Sequence, residues 1–354
     1  MTTEVYTAMR KAAALTLLAV VGCSPPSAAT LRLAETRRLM GVPWTITVCT
    51  TNEATGRGAI AAGFAEVERL ERVLSDYDPE SELSRLSAAT PMASATPVSR
   101  DLWRVLEQAV ALRDRTGGGF DPAIGRLTTL WRQSRRSERL PVTEKLNTAL
   151  ATVGPDALQL DPTTHGVQLP KPGTRLDLGG IGMGYAADRA LEAIAAAGVT
   201  AAMVDASGDV AVSAAPPGSA GWRIEVASLD MGETERSQRR ESLLLADAAV
   251  TTSGDAFQVV EIDGRRYSHI VDPRTGLGVP GPAAVTVIAP DCTTADALAT
   301  AASVLGPEEG LRLVAATPGC AARVIWQDGD STRTATTPAW PSHLAPASPA
   351  LSRP

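Results

Sequence analysis

The chain has 354 residues, of which 44% are hydrophobic, so it is long and apolar enough to bury a large core. This composition does not fit a disordered or fibrous protein. The formal net charge is −6, which provides no broad positive field, and we therefore expect no nucleic-acid partner.

The N-terminus has the pattern of a bacterial export signal. Arg10 and Lys11 precede an apolar run at 12–21 that is too short to span a bilayer. The run ends in Val-Val-Gly-Cys, which resembles a lipobox with Cys23 as the acylated residue. We expect a lipoprotein signal peptide at 1–22 and a mature protein that is exported and anchored by lipid to the membrane on its periplasmic or extracytoplasmic side. The alternatives are a cleaved signal in which Cys23 is incidental, or an uncleaved anchor.

Composition and periodicity divide the rest of the chain. We expect a tether at 23–36, one domain at 37–331, and a disordered tail rich in Pro, Ala, Ser and Thr at 332–354. The predicted elements, in chain order, are a strand at 44–51, helices at 59–74, 101–116 and 185–197, strands within 201–214 and at 222–228, and a helix that includes 296–305. Because regular βαβ alternation is absent, an α+β fold with mostly antiparallel sheets and packed helices is predicted.

Cys49, Cys292 and Cys320 lie far apart in the sequence. They have no CxxC or Cys/His spacing, which argues against a zinc site. One disulfide among the three remains open.

Four segments carry residues suited to chemistry. In Arg175–Asp188, closely spaced glycines precede a helix, a pattern that admits phosphate or serves only as a tight turn. The GxGxxG order of a dinucleotide-binding fold is absent from this segment. In Gly117–Trp131, a glycine turn leads to Phe120 and Asp121, which either present a ring and backbone amides to a planar ligand or cap the following helix.

The other two segments contain a histidine and a pair of oxygen donors. A predicted hairpin at Asp263-Gly264 leads to His269, which can move a proton or bond to backbone, with Asp272 close enough to orient it or help hold a cation. Asp296 and Thr300 lie four residues apart on one helix face and supply hard oxygen ligands that suit magnesium or calcium, although such pairs are common on helix surfaces.

Taken in order, these segments resemble the ApbE family of FAD:protein FMN transferases. The motifs are Met-Gly-x-x-Trp at 40–44, LSDYDPESELSRL at 74–86, Gly-Phe-Asp at 119–121, DLGGIGMGYAAD at 177–188, TSGD at 252–255, HIVDPRTG at 269–276 and ADALAT at 295–300. Similarity of this kind runs from about residue 39 to residue 306. It implies an ApbE-like fold.

The resemblance also implies roles for individual residues. The implied FAD contacts are Met40, Tyr77, Gly119, Phe120, Asp121, Asp177, Met183 and Ile270. A magnesium ion would be held by Asp296, Thr300 and the backbone carbonyl of Gly180, and His269 would accept a proton. Met183 departs from the family pattern, which has lysine or another polar residue there, although methionine can still pack against an aromatic face.

The activity implied by the resemblance is magnesium-dependent transfer of the FMN half of FAD to a threonine or serine hydroxyl of an acceptor flavoprotein subunit, with release of AMP. Two alternatives share the same site. One is an FAD pyrophosphatase that uses water as the acceptor, and the other is a lipoprotein that carries FAD without turnover.

Overall fold

The computed structural model describes residues 29–226, 241–254, 259–280, 283–329 and 331–346. The predicted signal peptide and Cys23 lie outside the described residues, as do the last eight residues of the expected tail. Within the described residues, no helix is both long enough and apolar enough to cross a bilayer. Cys49, Cys292 and Cys320 are all free thiols.

An eight-stranded sheet forms the centre of the described part of the chain, in the order β1-β2-β6-β7-β10-β14-β15-β16. Every neighbouring pair in it is antiparallel. Its strands are β1 (Leu31–Leu39), β2 (Val42–Thr50), β6 (Ala201–Ala206), β7 (Asp209–Val212), β10 (Ala248–Gly254), β14 (Ala283–Ala289), β15 (Ala321–Asp328) and β16 (Ser331–Thr336). The prediction of an α+β fold with mostly antiparallel sheets is confirmed.

The described residues also form three smaller antiparallel sheets. Their strands are β3 (Thr96–Pro97), β4 (Gln159–Asp161), β5 (Gly166–Gln168), β8 (Trp222–Val226), β9 (Glu241–Leu245), β11 (Val259–Ile262), β12 (Arg265–Val271) and β13 (Gly278–Pro280). The β11–β12 hairpin turns at Asp263 and Gly264, which both have positive φ, as a tight hairpin turn requires. This hairpin was predicted from its Asp-Gly pair.

The helices of the described segments are α1 (Glu53–Leu74), α2 (Glu82–Ala88), α3 (Arg100–Arg115), α4 (Gly125–Ser137), α5 (Thr143–Leu150), α6 (Gly182–Ala196), α7 (Cys292–Leu305) and α8 (Pro307–Ala315). Helix α6 packs against both α1 and α7, and all three helices pack against the central sheet. Their apolar stripes meet the inward side chains of β2, β6 and β14 in the largest core, which contains Trp44, Phe64 and Leu298. A smaller core joins α4 and α5 to β11 and β12 through Leu127, Trp131 and Tyr267.

Two predicted boundaries are wrong, one at each edge of the central sheet. Residues 31–36 belong to β1, which pairs with β2 along its whole length, so the expected tether cannot extend to residue 36. Residues 332–336 belong to β16, and Trp340 beyond it is 2% exposed, so the expected tail is folded as far as residue 346. Both edge strands expose mostly polar side chains and are held by backbone pairing, which leaves little apolar pattern in the sequence.

Candidate functional site

The glycine-rich turn that leads into α6 is the point where the separate motifs meet. The backbone N–H of Asp177, at the start of the turn, donates to the carbonyl of Pro122 at 2.9 Å. Gly180 lies directly against Thr300 of α7, because a Cβ on Gly180 would be 3.0 Å from the Thr300 hydroxyl oxygen. At the first turn of α6, the N–H of Gly184 donates to Asp296 Oδ2 at 3.1 Å. This turn therefore joins the implied FAD contacts to the implied metal ligands.

On one side of the turn, Tyr77 and Asp177 converge on Arg132 of α4. Asp177 Oδ2 accepts from Thr128 Oγ1 at 2.7 Å and from Arg132 Nη2 at 3.1 Å, and its Oδ1 accepts from the N–H of Gly179 at 2.8 Å. The Arg132 guanidinium carbon lies 4.4 Å from the centroid of the Tyr77 ring. Tyr77 is 76% exposed, so a large aromatic surface is open to solvent beside a buried carboxylate.

The Gly119–Asp121 segment lies next to Asp177, and its side chains are buried. Phe120 is 7% exposed and its ring belongs to the main core, so the ring is not presented on the surface, which was one of the two alternatives that the sequence left open. Asp121 Oδ1 accepts from the N–H of Ala123 at 2.8 Å and its Oδ2 accepts from the N–H of Gly154 at 3.0 Å. Burial raises the pKa of Asp121, and these backbone hydrogen bonds oppose the shift. Asp121 thus holds the turn before α4, whose N-cap residue is Ile124.

Met40 and Met183 are both half-buried and pack against the main core. Met40 has a positive φ of 48° in the β1–β2 turn, and its N–H donates to Glu71 Oε1 at 2.9 Å. Met183 lies in the first turn of α6, two residues before Tyr185.

His269 and Ile270 come from β12, outside the central sheet. This strand is held to α4 by the Trp131 indole N–H, which donates to the carbonyl of Ser268 at 2.9 Å. His269 and Ile270 are half-buried. Asp272, predicted to orient His269 or help hold a cation, accepts hydrogen bonds from Arg274 with both carboxylate oxygens, at 2.9 Å each. Its acidic group is therefore committed to a neighbouring cation.

On the other side of the turn, α7 presents Asp296 and Thr300 as predicted. Asp296 is 3% exposed. Burial raises the pKa of Asp296 well above its ordinary value, and the charges of the nearby Asp209 and Asp188 raise it further. The hydrogen bond from Gly184 only partly offsets this shift. The Thr300 hydroxyl lies 3.4 Å from that of Ser253 on β10. One carboxylate and two hydroxyls thus meet beside the Gly180 backbone.

Two acidic residues near Asp296 were not identified from the sequence. Asp209 on β7 is 6% exposed, and burial raises its pKa to about 7 against the effect of a hydrogen bond from Thr251. Asp188 on α6 accepts from the N–H groups of Cys292 and Thr293, at 2.8 Å each, and from the Thr293 hydroxyl at 2.6 Å. Burial raises the pKa of Asp188 to about 6. An aspartate within the apolar strand at 209–212 was the available signal for Asp209.

The donor set around Asp296 fits a hard divalent cation. Asp209 and Asp296 are both buried, and the charge of Asp209 raises the pKa of Asp296, so a cation that shares their environment would stabilise both carboxylates. Carboxylate, hydroxyl and carbonyl oxygens are the ligands that magnesium and calcium prefer. No cluster of three or more His, Cys, Asp or Glu side chains suited to a metal exists among the described residues, but the predicted set includes only one such side chain.

The fold and this site together define a class: an antiparallel α+β protein in which one glycine turn joins an exposed aromatic face to a set of hard oxygen donors. The family model for the ApbE family matches residues 40–324. The chain therefore belongs to the ApbE family.

Curated relatives and solved structures agree with this assignment. The chain is 32% identical over 282 residues to an FAD:protein FMN transferase of Treponema pallidum, covering 76% of this chain and 77% of the relative. It is 31% identical to one from Vibrio cholerae, covering 71% and 74%. The apo structure of Pseudomonas stutzeri flavinyl transferase ApbE superposes with a TM-score of 0.78 at 28% identity, covering 90% of this chain and 98% of that one. The flavin transferase ApbE from Vibrio cholerae gives a TM-score of 0.80 at 26% identity, covering 89% and 100%.

Proposed function

We propose that this protein is an FAD:protein FMN transferase that moves the FMN half of FAD to a threonine or serine hydroxyl of an acceptor flavoprotein and releases AMP. Family membership and the curated relatives named for this activity support the transferase class. The observation that assigns the activity to particular residues is the set of contacts made by the turn at 177–184. It touches Pro122 at its start, Thr300 at its middle and Asp296 at its end.

In this proposal, the flavin-binding half and the metal-binding half of the site lie on the two sides of this turn. Tyr77, Asp177 and the Gly119–Asp121 backbone lie on the side that would bind the flavin, while Met40, Met183 and Ile270 complete the proposed contacts. Asp296, Thr300 and the Gly180 carbonyl lie on the side that would hold magnesium. When bound, a magnesium ion supplies positive charge that offsets the charge of the pyrophosphate.

The chain's own residues would position the acceptor and move one proton. The acceptor hydroxyl oxygen forms a bond to the FMN phosphorus as the pyrophosphate bond to AMP breaks, and His269 takes the hydroxyl proton. The N-terminus of α6 is the positive end of its helix dipole, which favours negative phosphate oxygens. Most of the rate enhancement comes from positioning and charge stabilisation.

Export and lipid attachment at Cys23 are part of the proposal. They are supported by the positive flank, the apolar run and the Val-Val-Gly-Cys sequence. Radiolabelled palmitate should appear in the full-length chain expressed in a bacterial host and be lost from Cys23→Ala. Equal labelling of both forms would contradict attachment at this residue.

The transferase activity is tested by incubating the soluble domain with FAD, magnesium and a candidate flavoprotein subunit that faces the periplasm. The expected result is AMP release that depends on the acceptor, together with flavin fluorescence on the denatured acceptor band. AMP and free FMN without a labelled band would instead identify a pyrophosphatase, and intact bound FAD would identify a carrier.

The role of His269 is tested in the same assay. Replacing His269→Gln should lower acceptor-dependent AMP release by at least about a hundredfold, the ordinary contribution of a positioned general base, while FAD binding is retained. A variant that transfers FMN at the rate of the parent would remove His269 from the mechanism.

A further inference from the structure

Arg132 connects three separate parts of the chain at the exposed end of the site. Its Nη1 donates to Asp76 Oδ2 at 2.7 Å, in the loop after α1, and its Nη2 donates to Asp177 Oδ2 at 3.1 Å, at the start of the glycine turn. Its guanidinium also lies over the Tyr77 ring, with 4.4 Å between Cζ and the ring centroid. One side chain of α4 therefore contacts two residues that the proposed function assigns to the flavin.

The charges at this point require a cation. The side chains of Asp76 and Asp177 are 16% and 6% exposed, and no other Lys or Arg forms an ion pair with either of them among the described residues. Burial and the Asp177 charge raise the pKa of Asp76, while Arg132 lowers it. Removal of Arg132 would leave two neighbouring carboxylates without compensation, and these would repel one another and the phosphates of an approaching nucleotide.

The planar shape of the arginine side chain matters as well as its charge. A guanidinium can donate two hydrogen bonds in its plane while its face stacks on an aromatic ring, which an ammonium group cannot do. Tyr77 is 76% exposed despite this stacking, so the contact covers only part of the ring and leaves the rest free for a planar ligand. If Arg132 served only to stabilise the fold, its contact with a largely exposed ring would add little stability.

We propose that Arg132 is a positioning residue that holds the Tyr77 ring and the Asp177 carboxylate in the orientation that receives the flavin of FAD. The inference rests on the proposed function, because it takes Tyr77 and Asp177 as FAD contacts. Arg132 acts through these two residues by fixing them before the ligand arrives, which lowers the ordering cost of binding.

The experiment compares Arg132→Met, Arg132→Lys and the matched control Arg136→Gln, which removes an exposed arginine from the same helix. FAD affinity is measured by flavin fluorescence at a temperature where all variants are folded, and kcat and KM for FAD are measured with the acceptor. Arg132→Met should raise both the Kd and the KM for FAD about tenfold or more, with a smaller change in kcat. Arg132→Lys should fall between Arg132→Met and the parent, because it restores the charge without the planar fork. Arg136→Gln should match the parent.

A second comparison tests whether Arg132 acts through Tyr77. Combining Arg132→Met with Tyr77→Leu should weaken FAD binding by less than the product of the two single effects. If the fold-change in the double variant equals the product of the two single fold-changes, Arg132 does not act through Tyr77. If Arg132→Met binds FAD with the affinity of the parent, the inference as a whole is overturned. If Arg132→Met only lowers the melting temperature and leaves the Kd unchanged, the residue is a structural brace and the inference fails. If the parent itself binds no FAD, the proposed function fails and takes this inference with it.

Discussion

The two sides of the 177–184 turn differ in how they hold their polar groups. On the side of α7, Asp188, Asp209 and Asp296 are largely buried, and no arginine or lysine forms an ion pair with them among the described residues. On the side of α4, Asp76 and Asp177 share Arg132 beneath the exposed Tyr77 ring. One side is an acidic region suited to a cation, and the other carries its own cation and presents an aromatic face. Substitutions should therefore change metal response on one side and flavin affinity on the other.

The largest expected effect is that of Asp296→Asn. Loss of this carboxylate should lower the rate of magnesium-dependent transfer by more than about 100-fold. Loss of a residue that only hydrogen-bonds to a metal ligand costs about 10–100-fold, and loss of a ligand itself should cost more. Magnesium is expected to raise the melting temperature of the parent, and Asp296→Asn should abolish that rise. Glu308→Gln, an exposed acidic residue at the start of α8, is the control. Full transfer activity in Asp296→Asn would show that the cation is not held here.

Asp188→Ala tests the hydrogen bonds that join α6 to the start of α7. Asp188 satisfies two backbone N–H groups and one hydroxyl at the start of α7, so its loss should lower the free energy of unfolding by about 1–3 kcal/mol. Urea unfolding monitored by circular dichroism measures the change. Glu192→Ala on the same helix, with a 61% exposed side chain, should change stability by less than about 0.5 kcal/mol. If the two substitutions lower the free energy of unfolding equally, Asp188 does not stabilise the start of α7 through these hydrogen bonds.

Tyr77→Leu probes the open side. Loss of the aromatic face should weaken FAD binding about tenfold, equivalent to about 1.4 kcal/mol. The free energy of unfolding should hardly change, because the ring is 76% exposed. Val142→Ala, which truncates a side chain that is 64% exposed, serves as the control for binding and stability. Unchanged FAD affinity in Tyr77→Leu would remove the ring from the binding site.

The smallest expected effect is the pH dependence of stability in the metal-free protein. The pKa of Asp209 is about 7 in the fold and about 3.9 when unfolded, so the folded state binds the proton more tightly between these values. The contribution of this group to stability is therefore lost as pH rises from about 4 to about 7. Asp209→Asn does not titrate, so its stability relative to the parent should rise by at least about 1.4 kcal/mol between pH 4 and pH 8.

Urea unfolding in the presence of a chelator at both pH values measures this difference. Asp263→Asn, in the exposed β11–β12 turn, should keep the pH dependence of the parent. If the parent and Asp209→Asn show the same pH dependence, Asp209 is not held as a buried carboxyl in the metal-free protein.

Prediction from sequence worked where local pattern and tertiary environment agree. Helices α1, α3, α6 and α7 follow apolar stripes that were visible in the sequence, and the Asp263-Gly264 turn follows from residues that accept positive φ. Prediction failed at β1 and β16, because edge strands held by backbone pairing need no alternating apolar residues. It also missed Arg132, since an arginine on an amphipathic helix ordinarily faces solvent.

By itself, the sequence determined the α+β class, the order of the motifs and the residue types suited to a cation and a planar ligand. Those properties depend on periodicity and side-chain chemistry, which are local. Only the tertiary structure decided that Asp209 lies beside Asp296, that Asp272 is taken up by Arg274, and that Arg132 joins Asp76, Asp177 and Tyr77. These contacts link residues far apart in the chain, or depend on which of several neighbours a charge meets.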